Sequence, residues 1–136
     1  MRPTLLAVLA LAAPLPLAAQ DLVPFRSPSD NIHCLIVDMA DWQGVRCDIA
    51  DYTPSFRKSP ADCDLDWGGA FEVGARGRAV VACVGDTVRD PGAPVLGYGQ
   101  QVDGPGITCT SLRSGMTCMN ADGHGFTLSR ALQELF

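Results

Sequence analysis

Lysine occurs once in this chain, at Lys58, and glutamate twice, at Glu72 and Glu134. Exposed helical faces are normally built from Glu, Lys, Gln and Ala, so this shortage excludes a helical bundle. Histidine occurs only at His33 and His124, which leaves few routes to histidine catalysis. There is no Cys-x-x-Cys pair, the usual signature of a zinc site or a dithiol redox centre. No serine sits in a Gly-x-Ser-x-Gly elbow. No Gly-x-Gly-x-x-Gly enters a helix and no Walker-type lysine is present, so nucleotide binding has no support.

One apolar run stands out, residues 5–13, and it is too short to span a bilayer. Arg2 before it, and Ala18-Ala19 followed by Gln20-Asp21 after it, complete the layout of a secretory signal peptide over residues 1–19. Pro14 and Pro16 argue against a membrane anchor, and no cysteine follows the cleavage region to take a lipid. The expected product is exported, periplasmic or extracellular, with no transmembrane segment. It comprises residues 20–136 as one disulfide-bridged, β-rich domain.

Those 117 residues carry nine Lys and Arg against 15 Asp and Glu, a net charge of −6. Such a surface repels phosphate backbones, so nucleic acid is not an expected partner. It steers cationic partners inward and also keeps a protein soluble. Thirteen of the acids are Asp, a cap and turn former, and all 14 glycines follow the leader. Short strands with tight connections are the consequence.

Six cysteines in an exported chain read as three disulfides. Cys34 and Cys47 enclose 12 residues and Cys109 and Cys118 enclose eight, even counts that let each pair sit directly opposite in a hairpin. Cys63 and Cys83 are then left to join a loop to the strand-like run at residues 78–84. The two cysteine hairpins share a frame. Ile32 and Ile107 precede the opening cysteines by two, and Gly-x-x-Cys-x-x-Ala-Asp closes at Asp51 and at Asp122. Either an internal duplication or a shared burial demand with period two accounts for this.

Between the hairpins, residues 52–67 are rich in Pro, Ser and Asp and read as irregular. A middle hairpin follows, with a strand around Phe71-Glu72-Val73, a turn at residues 74–77 and the run 78–84. Residues 85–106, with six glycines and three prolines, form the least regular stretch. Leu128, Ala131, Leu132 and Leu135 recur at helical spacing, which predicts a short helix within residues 127–136 capped by Ser129. The expected fold is mainly β, a small sandwich or partly open barrel of hairpins with that one C-terminal helix.

Candidate chemistry is sparse. His33, between Ile32 and Cys34, is expected to point away from the core to solvent. His124 is flanked by Gly123 and Gly125, which expose the ring, and Asp122 or Asp86 would orient it in a hydrolase. Asp62, Asp64 and Asp66 resemble the opening of a calcium loop, yet Trp67 replaces its glycine and Val73 its closing glutamate. Gly85-Asp86-Thr87 reads as a turn in which Asp86 caps an amide. A candidate binding loop comprises Asp86, Leu96 and Tyr98, with His124 beside it.

Several stretches together carry a resemblance. Phe25-Arg26-Ser27-Pro28-Ser29-Asp30-Asn31-Ile32-His33-Cys34 and Val45-Arg46-Cys47-Asp48-Ile49 resemble the start of a family of small exported bacterial proteins known only as a domain of unknown function. Cys83-Val84-Gly85-Asp86-Thr87, Leu96-Gly97-Tyr98-Gly99 and Gly123-His124-Gly125-Phe126-Thr127-Leu128-Ser129-Arg130 match its other elements. Asp30 departs from it, since glycine is usual before Asn31, and both suit a turn. The resemblance implies an exported, cysteine-bridged domain and carries no activity across.

The leading functional expectation is a non-catalytic binding or interaction module of the bacterial envelope, without a cofactor. Its concrete form is an inhibitor of a cationic enzyme such as lysozyme. The alternatives are a hydrolase using His124 with Asp122 or Asp86, and a cation-binding protein using Asp62, Asp64 and Asp66.

Overall fold

A computed structural model describes residues 12–14 and 21–136. The leader expected over residues 1–19 lies outside the described residues except for 12–14.

Among the described residues, ten strands form two antiparallel meanders. The first sheet runs in order β1 (Asp21–Arg26), β2 (Ile32–Asp38), β3 (Gln43–Ile49), β4 (Ala70–Gly74) and β5 (Val80–Val81). The second runs from edge to edge as β6 (Gln101–Gly104), β7 (Ile107–Leu112), β8 (Gly115–Asn120), β9 (Gly125–Leu128) and β10 (Gln133–Leu135). The two sheets face each other and do not close into a barrel, and no helix occurs among the described residues.

Period-two alternation sends one row of each sheet inward. In the first sheet that row is Phe25, Cys34, Cys47, Phe71 and Val81, each opposite the next in register. In the second it is Val102, Cys109, Cys118, Phe126 and Leu135. The rows meet in one core. Phe71 and Phe126 have ring centroids 6.1 Å apart, and Cys47 Sγ touches Cys118 Sγ at 3.8 Å. The disulfides are Cys34–Cys47, Cys63–Cys83 and Cys109–Cys118, as the spacing predicts. The first and third join opposed residues of one hairpin, with Cα atoms 4.1 Å apart in both.

The two sheets therefore repeat one plan. A hydrogen bond from Ala50 N to Asn31 O closes the first cysteine hairpin, and its counterpart from Ala121 N to Gly106 O closes the second. In both copies this bond falls at the alanine of the shared sequence frame. The copies differ in what joins their strands. Residues 121–124 link β8 to β9, whereas residues 50–69 link β3 to β4. Residues 82–100, which lead from the first sheet to the second, have no counterpart either.

Three expectations are corrected. Residues 127–136 form no helix: β9 and β10 pair, and Ser129 closes the turn between them by accepting from Leu132 N at 3.2 Å. The alternation Phe126, Leu128 and Gln133, Leu135 faces the core, and a short leucine repeat at helical spacing cannot outweigh the ladder that β8 offers. The run 78–84 pairs only at Val80–Val81. Cys83 is tied to Cys63, and Val84 bridges Asp66, which draws the chain away from β4. His33 does point away from the core row, but it is 2% exposed and does not reach solvent. Residues 85–94 lie over it.

Candidate functional site

The outer face of the first sheet carries an uncommon density of charge. Arg26, His33, Asp48 and Ala70 form one cross-strand row, and Arg46 and Glu72 belong to the next. Residues 82–96 cross this face and are held to it by hydrogen bonds from side chains. Arg46 Nε donates to Asp48 Oδ1 at 2.8 Å, and Arg46 reaches Asp86 twice, at Oδ1 (2.7 Å) and at the main-chain oxygen (3.0 Å). Asp48 Oδ2 also accepts from Thr87 Oγ1 at 2.9 Å and Val88 N at 3.0 Å. His33 Nδ1 accepts from Asp90 N at 3.2 Å, so in its neutral form the ring carries its proton on Nε2 and donates toward Asp30. Arg26 binds Ala93 O through Nε.

The protonation states follow. Burial pulls the Arg46 pKa down, but the hydrogen bonds and charges of Asp48 and Asp86 outweigh it and the net shift is upward. Arg46 is a fixed cation. Its hydrogen bond to Asp86, and then its charge, hold that carboxyl below the ordinary aspartate value. Burial raises the pKa of Glu72, against the opposing charge of Arg46 and with the help of Asp48 and Asp86.

Beside this network lies a cleft of about 370 Å³. Its walls come from the two segments that the second sheet lacks. Residues 50–69 contribute Tyr52, Asp66 and Trp67, and residues 82–100 contribute Val84, Asp86, Thr87 and Arg89; the floor includes His33, Asp48 and Ala70. The antiparallel bridge between Asp66 and Val84 and the Cys63–Cys83 disulfide join the walls. Gly69 makes room for Tyr52, since an added Cβ would stand 2.9 Å from Tyr52 Oη. Trp67 supplies the one buried side-chain polar atom without a partner among the described residues, its indole N–H.

The residues singled out from sequence are dispersed. Asp86 lies at the cleft and binds the Arg46 guanidinium rather than capping an amide; Thr87 takes the capping role by accepting from Arg89 N. Leu96 is buried in the core. Tyr98 is exposed and lies under the Arg113 guanidinium at 4.9 Å, lining a separate groove. His124 is elsewhere again: its Nδ1 lies 3.3 Å from Phe136 O. Asp122 accepts from Gly77 N and faces Arg76, and neither it nor Asp86 hydrogen-bonds to His124. Asp62, Asp64 and Asp66 are exposed, and no group of three or more metal-ligating side chains converges among the described residues.

The Gly123-His124-Gly125-Phe126 stretch has a structural account. Gly123 has φ +80°, Gly125 packs so closely on the Cys118 carbonyl that a Cβ has no room, and Phe126 is core. Arg46, Asp48, Tyr52 and Trp67 are the site residues that sequence reasoning missed. The available signal was a charged pair, Arg46 and Asp48, alternating with core residues on a strand.

The fold and the site define a disulfide-stapled domain of two repeated β-meanders, with one lined cleft built from segments outside the repeat. The chain belongs to a family of unknown function, DUF6636, whose model matches residues 4–136. Neither a curated protein nor a solved structure matches it.

Proposed function

We propose that the domain is a non-catalytic binding module of the bacterial envelope, which takes a cationic protein partner at the cleft between Tyr52, Trp67, Asp66 and Asp86. The observation that carries this reading is the origin of the cleft walls. The strands repeat, while the two segments that do not repeat are fastened together by the Cys63–Cys83 disulfide and enclose a concave, part-aromatic surface. Loops held on a rigid scaffold are where binding surfaces lie. The net negative charge favours a basic partner by steering, and an inhibitor of a cationic enzyme such as lysozyme is the concrete form. Export to the periplasm or beyond agrees with the three disulfides. Among the described residues no helix is long and apolar enough to cross a membrane.

The test is to express the full chain, immobilise the exported product and pass lysozyme and an acidic protein of similar size over it at low and high salt. Saturable, salt-sensitive binding of lysozyme with a loss of its hydrolytic activity is expected. Equal retention of both proteins overturns the reading, and retention of neither overturns its lysozyme form.

A further inference from the structure

We infer that the cleft takes a guanidinium or ammonium group carried on a peptide segment of the partner, held between the carboxylates of Asp66 and Asp86 and the rings of Tyr52 and Trp67. The inference rests on the binding-module reading and deepens it.

Of the three carboxylates lining the cleft, Asp48 is fully engaged by Arg46, Thr87 and Val88. Asp86 uses Oδ1 for Arg46 and leaves Oδ2 without a protein partner, and it is 79% exposed. Asp66 uses only its backbone, in the bridge to Val84, and its carboxylate makes no hydrogen bond or ion pair among the described residues. The single lining arginine, Arg89, is paired with Asp30 at 3.3 Å. Asp66 is thus an unpaired carboxylate at the cleft, and Asp86 keeps one oxygen open beside its ion pair with Arg46. With Arg46 and Arg89 both already paired to aspartates, the carboxylates around the cleft outnumber the cations, which disfavours an anionic ligand.

The opposite requirement, for an apolar contact, is met by the rings. A cation over the face of Trp or Tyr is attracted by the ring quadrupole, and Arg also stacks on it. Arg113 over Tyr98 shows the same pairing elsewhere on this molecule. The indole N–H of Trp67 needs an acceptor. That atom has almost no accessible surface, so a peptide carbonyl meets it only if the ring turns outward on binding, whereas a bare cation offers no acceptor at all. A cleft of about 370 Å³ lies at the small end for ligand sites, enough for a side chain and its adjoining backbone.

The experiment titrates the exported protein with acetyl-Gly-Arg-Gly-amide, with its Gln counterpart, and with butylguanidine, following the backbone amides and the two tryptophan indole signals by NMR. The Arg peptide is expected to shift the Trp67 indole and the Ala70 and Thr87 amides saturably. The Gln peptide should leave them still, and butylguanidine should bind at least fivefold more weakly. Asp66→Asn, which removes no internal bond, should weaken the Arg peptide at least fivefold. Equal response to the Gln peptide, undiminished binding by Asp66→Asn, or shifts centred on Tyr98 and Arg113 overturns the inference. Butylguanidine binding as tightly as the peptide overturns its peptide part. If Asp66→Asn and Trp67→Ala still capture lysozyme like the wild type, the module reading stands and this cleft assignment falls. If lysozyme is not retained but the cleft titrates with the Arg peptide, the assignment stands and the lysozyme form falls.

Discussion

Cys47 Sγ and Cys118 Sγ lie 3.8 Å apart, each already bonded within its own hairpin. Two disulfides from equivalent positions of two meanders therefore rest against each other at the centre of the core. Their register partners on the next strand, Phe71 and Phe126, meet beside them. The sheet interface is the contact of a motif with its own copy.

This arrangement predicts an order of reduction. Cys34, Cys47, Cys109 and Cys118 are at most 1% exposed, whereas Cys83 is exposed. Under native conditions a mild dithiol should open Cys63–Cys83 first, read by alkylation and mass spectrometry. Removing that bridge by Cys63→Ala/Cys83→Ala should cost about 3 kcal/mol, measured by urea unfolding, and should loosen the cleft walls while both sheets persist.

Truncating the central rings tests the interface. Phe126→Ala should cost about 4 kcal/mol, as for large aromatic residues in closed cores. Phe71→Ala should cost a similar amount, and the pair should depart from additivity because the rings touch.

The glycines of the C-terminal motif should separate. Gly123→Ala places a side chain at φ +80°, where nothing crowds it, and should cost about 1 kcal/mol. Gly125→Ala forces a Cβ into the Cys118 carbonyl, so it should cost more than Gly123→Ala in the same melt.

Arg46→Ala leaves Asp48 part-buried beside Glu72 without its counter-charge and should cost about 3 kcal/mol. Arg46→Lys should rescue only part, because one ammonium cannot span both Asp48 and Asp86. Denaturant midpoints check both.

The same network sets a pH dependence. Asp86 is lowered by Arg46, so its contribution is present above the ordinary aspartate value and is lost as pH falls through the lowered one. Glu72 is raised by burial and acts in the other sense: ionising it costs stability as pH rises past its ordinary value. Glu72→Gln should therefore raise the melting temperature at neutral pH and change little in acid.

Much of the fold was legible because disulfide spacing and period-two alternation are local signals. Cys34 and Cys109 each fix a hairpin register, and Ile32, Cys34 and Ile36 mark an inward face. The C-terminal helix misled because Leu128, Ala131, Leu132 and Leu135 fit a helical period over too few residues, and the ladder from β8 decides their state. The site was much less legible. Arg46 meets Asp86 across 40 residues of sequence, and His33 is covered by a segment beginning some 50 residues later. Such contacts depend on where residues 82–100 return, which no local pattern reports. Asp30 marks an intermediate case. Its φ of 60° is the left-handed conformation that glycine adopts freely and aspartate tolerates, so the turn before Asn31 was legible while its positive φ was not.

The most direct test of the central claim is the indole region of the NMR spectrum during a lysozyme titration at low salt. The chain has two tryptophans, Trp42 and Trp67, and only Trp67 lines the cleft. The account predicts that the Trp67 signal moves to saturation, that Trp42 stays still, and that high salt or Asp66→Asn reverses the effect. A bound complex in which Trp67 does not move, or in which Tyr98 and Arg113 respond instead, would contradict it.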